Sequence, residues 1–224
     1  LDDEHSMHLM RAEVPGPEAD KLVPKARATA RILYLMYFVL TAAEVVFLMF
    51  GGMSFYDALL HSFSTAGTGG FSNYADSVGH FDSAYVDGVI TVFMILFGVN
   101  FSLYFLLLIK EYKAVWKNEE LRVYFGIIAT ATAVITINIL PQYGSVLKSF
   151  RYAVFQVGTI ITTTGYATAD FNVWPMLSKC VLIALMIIGA CASSTGGGIK
   201  VSRFMIAVKS IKREVKQMAH PKSV

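Results

Sequence analysis

HSFSTAGTGGFSNYAD (His61 to Asp76) and QVGTIITTTGYATAD (Gln156 to Asp170) are the two stretches on which the reading of this chain turns. Laid over one another they pair Thr68 with Thr163, Gly70 with Gly165 and Phe71 with Tyr166, each pair 95 residues apart. Each closes an apolar run that is short for a bilayer: Phe55 to Thr65 in the first, Val146 to Ile161 in the second. At about 1.5 Å per residue the first of these reaches ~17 Å, about half a hydrocarbon core. Such a run either lies on a surface or enters the apolar layer and turns back.

The surroundings favour turning back. Of 224 residues, 55% are hydrophobic and only 16% charged, with a mean hydropathy of +0.54. A soluble domain carries about 25% charged residues, so the composition excludes a water-soluble enzyme and a disordered chain. Four runs are long enough to cross a bilayer: Arg31 to Phe50, Ala84 to Ile109, Leu121 to Leu140 and Trp174 to Ala190. The last continues past a glycine-rich interruption into Ile199 to Val208. One short run follows the first crossing and the other follows the third.

Basic residues orient these runs. Sixteen of nineteen Lys and Arg lie before the first crossing, between the second and third, or after the fourth; only Lys148, Arg151 and Lys179 lie elsewhere. The positive-inside rule places both chain ends and the central linker in the cytoplasm, so both short runs start from the outer face. The net charge of +3 is small and clustered, which argues against a nucleic-acid surface. Cys180 and Cys191, eleven residues apart in one apolar stretch, are too far apart along a helix for a disulfide and lack metal-ligand spacing.

The expected architecture is an all-α membrane protein of two tandem helix–pore-helix–helix repeats with re-entrant filter loops. It comprises a cytoplasmic linker over 1–27, a first repeat over 28–110, a linker over 111–120, a second repeat over 121–218 and a truncated tail over 219–224. The opening Leu1 and the basic closing pattern VKSIKREVKQMAHPKSV (Val208 to Val224) predict that both ends are cuts inside a longer polypeptide.

The half-length runs end in Ala66, Gly67, Thr68, Gly69 and Gly70, and in Thr162, Thr163, Thr164 and Gly165. Glycine permits positive φ and lets successive carbonyls point one way, and threonine offers an uncharged hydroxyl. Carbonyl and hydroxyl oxygens at close quarters replace the hydration shell of a monovalent cation, and the partially negative C-terminus of each half-helix favours one there. Ser54 and Asp57 have the spacing of a capping box for the first half-helix. In the fourth crossing Ala192, Ser193, Ser194, Thr195, Gly196, Gly197 and Gly198 interrupt the helix; each glycine costs about 0.8–1.0 kcal/mol relative to alanine there. A phosphate loop is excluded because STGGGIK lacks G-x-x-x-x-G-K-[ST] and follows an apolar crossing rather than a strand.

TAGTGGFS (Thr65 to Ser72), TTTGYATAD (Thr162 to Asp170) and above all GACASSTGGGIKVSR (Gly189 to Arg203) resemble the Trk/Ktr/HKT superfamily of potassium transporters, most closely bacterial TrkH/KtrB-type pore subunits. RAEVPGPEADKLVP (Arg11 to Pro24) resembles the cytoplasmic linker before their second repeat. The resemblance implies four repeats around one pore, of which this chain matches the second and third, with Gly70 and Gly165 as filter glycines. It implies potassium as the transported substrate at the filter residues, without a cofactor, and a gate at Ala192 to Gly198. It also implies first and fourth repeats in the same polypeptide, a homodimer of full-length pore subunits, cytoplasmic nucleotide-binding regulatory subunits and a place in the bacterial inner membrane.

No catalytic constellation is evident, though an intramembrane enzyme stays a rival reading, as does a channel made from two copies of a two-repeat chain. Glu44, inside the first crossing, costs roughly 2.5–3.5 kcal/mol on insertion scales; it is expected to be protonated, to pair with a neighbouring helix or to sit near the outer water. Asn100, mid-way through the second crossing, is expected to bond another helix. Asp76, Asp82 and Asp170 lie outside the filters, where they either raise local cation concentration or are merely solvated. The basic segment from Lys200 to Lys216 is expected to meet anionic lipid or a cytoplasmic subunit, or to be an ordinary positive-inside flank. If the repeat is real, the turns at Gly70 and Gly165 approach one another in the folded chain, whereas turns at opposite ends of the fold would refute it.

Overall fold

The structure, a computed structural model, describes residues 26–219. The linker motif at Arg11 to Pro24 and the tail beyond residue 219 lie outside the described residues. Within them the chain forms nine α-helices and two short 3-10 turns: α1 (Ala26–Phe50), α2 (Phe55–Ala66), α3 (Ala84–Phe97), α4 (Phe101–Leu108), α5 (Tyr112–Lys117), α6 (Glu119–Tyr143), α7 (Val146–Ile161), α8 (Met176–Ile188) and α9 (Val201–Ala219).

Each half-length helix is held between the helices on either side of it in the chain. α2 packs on α1 and α3, and α7 packs on α6 and α8. The ends of these helices are set locally. Ser54 Oγ accepts the Asp57 N–H at 3.1 Å, as the capping spacing anticipates. Asn118 Oδ1 accepts the Leu121 N–H at 2.8 Å, so α6 starts at Glu119, two residues before the expected crossing. At its far end Gly144 takes the left-handed conformation that closes a helix.

Two cores result. The first gathers Val45, Leu48, Ala58, Val86, Ile90 and Met94, together with Phe155 and Tyr166 from the second half of the chain. The second gathers Tyr124, Ile128, Ile135, Val157, Ile161, Trp174 and Leu185. The contact of α3 with α7 joins them. Large apolar side chains such as Phe38, Phe50, Ile137 and Leu147 stand on the outside, as an apolar solvent would permit.

Among the described residues two helices, Ala30–Phe50 and Glu119–Tyr143, are long and apolar enough to cross a bilayer by themselves. The expected second crossing from Ala84 to Ile109 is not one helix: α3 and α4 meet at 91° across Gly98, Val99 and Asn100. Asn100 is therefore corrected from a helix–helix partner to a local cap, its Oδ1 accepting the Ser102 N–H at 2.9 Å. The fourth run is likewise shorter than expected, a helix of 13 residues that stops before the glycine-rich loop.

The packing at the bend requires a glycine. A Cβ on Gly98 would collide with the Tyr124 hydroxyl and lie 2.9 Å from Thr162 Cγ2. Gly98 thus lets the broken helix press against α6 and the end of α7 together. Gly98→Ala in the full-length protein is expected to lower stability by about 1–3 kcal/mol, the range for overpacking a filled interior. Tyr124→Phe removes the first atom met and should return part of the loss in a thermal-unfolding series in detergent. An unchanged midpoint for Gly98→Ala would show the bend has other supports.

Candidate functional site: two turns and the loop beneath them

The half-helices α2 and α7 end in turns with the same backbone. Thr68 and Thr163 have φ of 50° and 58°, and Gly70 and Gly165 have φ of 67° and 93°. The hydrogen bonds follow the same offset: Gly67 N–H to Phe63 O and Thr162 N–H to Gly158 O, then Gly69 N–H to Ser64 O and Thr164 N–H to Thr159 O. A β-branched residue at positive φ is strained; finding one at the same point of both turns marks a shared, enforced geometry.

The structure brings the two turns together. A Cβ built on Gly70 would strike the Thr164 carbonyl oxygen and come within 3.0 Å of the Gly165 carbonyl carbon. Only a residue without a side chain permits this approach. Tyr166 adds a bridge, its hydroxyl donating to the His61 carbonyl of α2 at 2.9 Å. Its ring stacks on His61, whose Nε2 lies 3.1 Å from Ser72 Oγ just past the first turn. Asp57 holds the same stretch by accepting from Asn73 Nδ2 at 2.8 Å and the Tyr74 hydroxyl at 3.2 Å.

The threonine hydroxyls serve the scaffold. Thr162 Oγ1 donates to the Gly158 carbonyl at 2.7 Å and lies 2.8 Å from Thr164 Oγ1, both side chains being buried. Thr68 Oγ1 donates to the Thr195 carbonyl, and Thr163 Oγ1 accepts the Gly197 N–H at 2.7 Å. Backbone carbonyls, more than hydroxyls, are therefore the groups left at the turns. Ala66 is buried at the end of α2, while Gly67, Gly69 and Gly165 are exposed.

Those last two bonds place the loop at Ala192 to Gly198 against both turns. It is also seated on the broken second helix: Cys191 N–H donates to the Gly98 carbonyl, Thr195 N–H to the Phe97 carbonyl, and Phe101 N–H to the Ser193 carbonyl. The loop closes at its neck, where Val201 N–H reaches the Ala190 carbonyl at 2.9 Å and Gly189 packs directly on Gly198. Lys200 Nζ donates to the Gly196 carbonyl, and Ser194 Oγ to the Cys191 carbonyl at 2.6 Å. Gly98 and Glu120, which accepts from Ala192, are parts of this arrangement that sequence reasoning missed. The GVN triplet at Gly98 to Asn100 was the available signal for the first.

Glu44 is fully buried, and neither carboxyl oxygen has a hydrogen-bond partner among the described residues. The expectation of an acid near outer water is corrected by this burial; its helix packs on α2, which carries Thr65, and on α3. Asp82 lies 3.7 Å from Arg151, which also binds Asp87 at 2.7 Å.

Long apolar helices, two half-length helices with converging carbonyl-rich turns, and a broken helix beneath them define an α-helical membrane protein of a transport class. A family model described as TrkH, cation transport protein, matches residues 2–224. The Trk system potassium uptake protein TrkH of Salmonella typhimurium is 40% identical over 97% of this chain and 46% of its own length. TrkG of Escherichia coli is 34% identical over 96% and 45%. The crystal structure of the potassium transporter TrkH from Vibrio parahaemolyticus matches with a TM-score of 0.87 and 33% identity, over 98% of this chain and 47% of that one. The chain belongs to the TrkH cation transport family, a family of transporters rather than of enzymes. It spans about half the length of these relatives.

The two glycines differ in surroundings: no atom lies within 4 Å of a Cβ built on Gly165. Gly165→Ala is expected to meet only the left-handed penalty of about 1–2 kcal/mol, whereas Gly70→Ala meets that and a backbone collision. Thermal unfolding of the two full-length variants should therefore rank Gly70→Ala as the more damaging. Equal losses would refute the contact between the turns.

Proposed function

We propose that this chain supplies the second and third of four repeats of a potassium-conducting pore, and that potassium crosses at the turns Ala66 to Gly70 and Thr162 to Gly165. The contact of Gly70 with the Thr164–Gly165 backbone carries this reading. Two half-helices with matched strained turns, meeting through their backbones, present uncharged oxygens where they can replace a cation's water. The C-terminal ends of both helices add partial negative charge at the same place. The relatives' names as potassium uptake proteins supply the ion.

The loop at Ala192 to Gly198 is the gate in this reading. It lies against both turns and is uncharged, so it can obstruct an ion without binding it tightly. The first and fourth repeats complete the ring from the same polypeptide. Both ends of the present segment face the cytoplasm of the bacterial inner membrane, by the distribution of its basic residues. A homodimer of full-length subunits and a cytoplasmic ring of nucleotide-binding subunits complete the assembly.

Ion flux in liposomes holding the full-length protein tests both parts. Gly70→Ser and Gly165→Ser should lower the preference for potassium over sodium. Unchanged selectivity in both would remove the filter assignment. Deleting Gly196 to Gly198 should raise resting potassium flux and weaken its dependence on a regulator. A folded deletion protein with normal flux and regulation would make the loop a structural kink.

A further inference from the structure

A carboxylate at the start of α6 reaches the loop from outside the ion path. Glu120 Oε1 accepts two backbone N–H bonds, from Ala192 at 2.7 Å and from Ser202 at 3.1 Å. Ala192 opens the glycine-rich loop, and Ser202 stands in the first turn of α9. One oxygen therefore fastens both flanks of the excursion between them.

The chemistry of this fastening is strong for its size. The first N–H groups of a helix lack partners within it and lie at its positive end, and a carboxylate acceptor makes a bond about twice as strong as a neutral one. The other side-chain tie from α9 to α6 is weaker. Lys209 Nζ meets Glu119 Oε2 at 2.6 Å, but both side chains are more than half exposed, at 58% and 54%, where an ion pair contributes little. The Lys200 bond to Gly196 is internal to the loop and travels with it. Beside the neck bond from Val201 N–H to the Ala190 carbonyl, the shared oxygen is the side-chain tie through which a displacement of α9 reaches the start of the loop.

We propose that Glu120 is the latch of the loop: a positioning residue that holds it in place beneath the two turns and passes movement of α9 to it. The proposal rests on the gate reading above. A partner that binds the basic face of α9 shifts the loop only by its differential affinity for the latched and unlatched states. Glu120 is where that difference is felt.

Resting potassium flux into liposomes, at equal amounts of monodisperse full-length protein, tests the latch. Glu120→Ala is expected to raise flux about tenfold, the consequence of losing a charged acceptor shared by two donors. Glu120→Gln keeps an acceptor oxygen and should raise it less. Ser202→Pro removes one N–H in the first helical turn, where proline is tolerated, and carries the test independently of the carboxylate. The pair Glu120→Ala with Ser202→Pro should exceed Glu120→Ala alone by nothing, because the proline then has no bond to remove. Deletion of Gly196 to Gly198, measured beside them, separates the two ideas. If the deletion raises flux while Glu120→Ala and Ser202→Pro leave it at the wild-type level, the latch is overturned and the gate stands. If all three leave flux unchanged, the gate reading falls and takes the latch with it. A fully additive pair also overturns the latch, since Glu120 would then act elsewhere.

Discussion

Backbone N–H and C=O groups at apolar depth have no water to bond, and an unpaired one costs several kcal/mol. Every departure from helix in this chain therefore needs a partner of its own kind. The break at Gly98 to Asn100 and the loop after Cys191 are two such departures, and each satisfies the other through Gly98, Phe97 and Ser193. The loop's outer edge then takes its remaining partners from Thr68 and Thr163 of the two turns. Neither break is tolerable alone; together they form a connected layer of polar backbone inside an apolar shell.

That layer explains why the turns can be strained. Thr68 and Thr163 hold positive φ because hydroxyl bonds to the loop and amide bonds back to α2 and α7 leave them no relaxed alternative. The strain aligns the segments that follow, and the absence of a side chain at Gly70 lets those segments touch. Family membership gives the arrangement its context, since the relatives that share it are potassium uptake proteins about twice as long as this chain.

Charge is kept to the margins of this layer. Asp57 accepts from the capping Ser54 hydroxyl and ties down Asn73 and Tyr74, Arg151 bridges Asp82 and Asp87, and Glu120 binds backbone amides of the loop and α9. Two groups depart from this: Lys200, whose Nζ donates to the Gly196 carbonyl of the loop, and Glu44, a buried acid with no bonded partner among the described residues.

Much was legible because it depends on local rules. Apolar run lengths, the positive-inside bias and the spacing of glycine and threonine are properties of short windows. They give the all-helical class, the 95-residue offset, the Ser54 cap and the identity of the turns and loop. The bend between α3 and α4 was legible only as the GVN triplet at Gly98 to Asn100, and the long apolar run from Ala84 to Ile109 around it reads as one crossing. It bends because a loop ninety-odd residues later supplies the hydrogen bonds that a break needs, and because Tyr124 and Thr162 leave room for no side chain at Gly98. The asymmetry between Gly70 and Gly165 has the same origin, as does the role of Glu120. Local sequence sets where a chain can turn; which turns meet, and which residues fasten them, depends on contacts between segments distant along the chain.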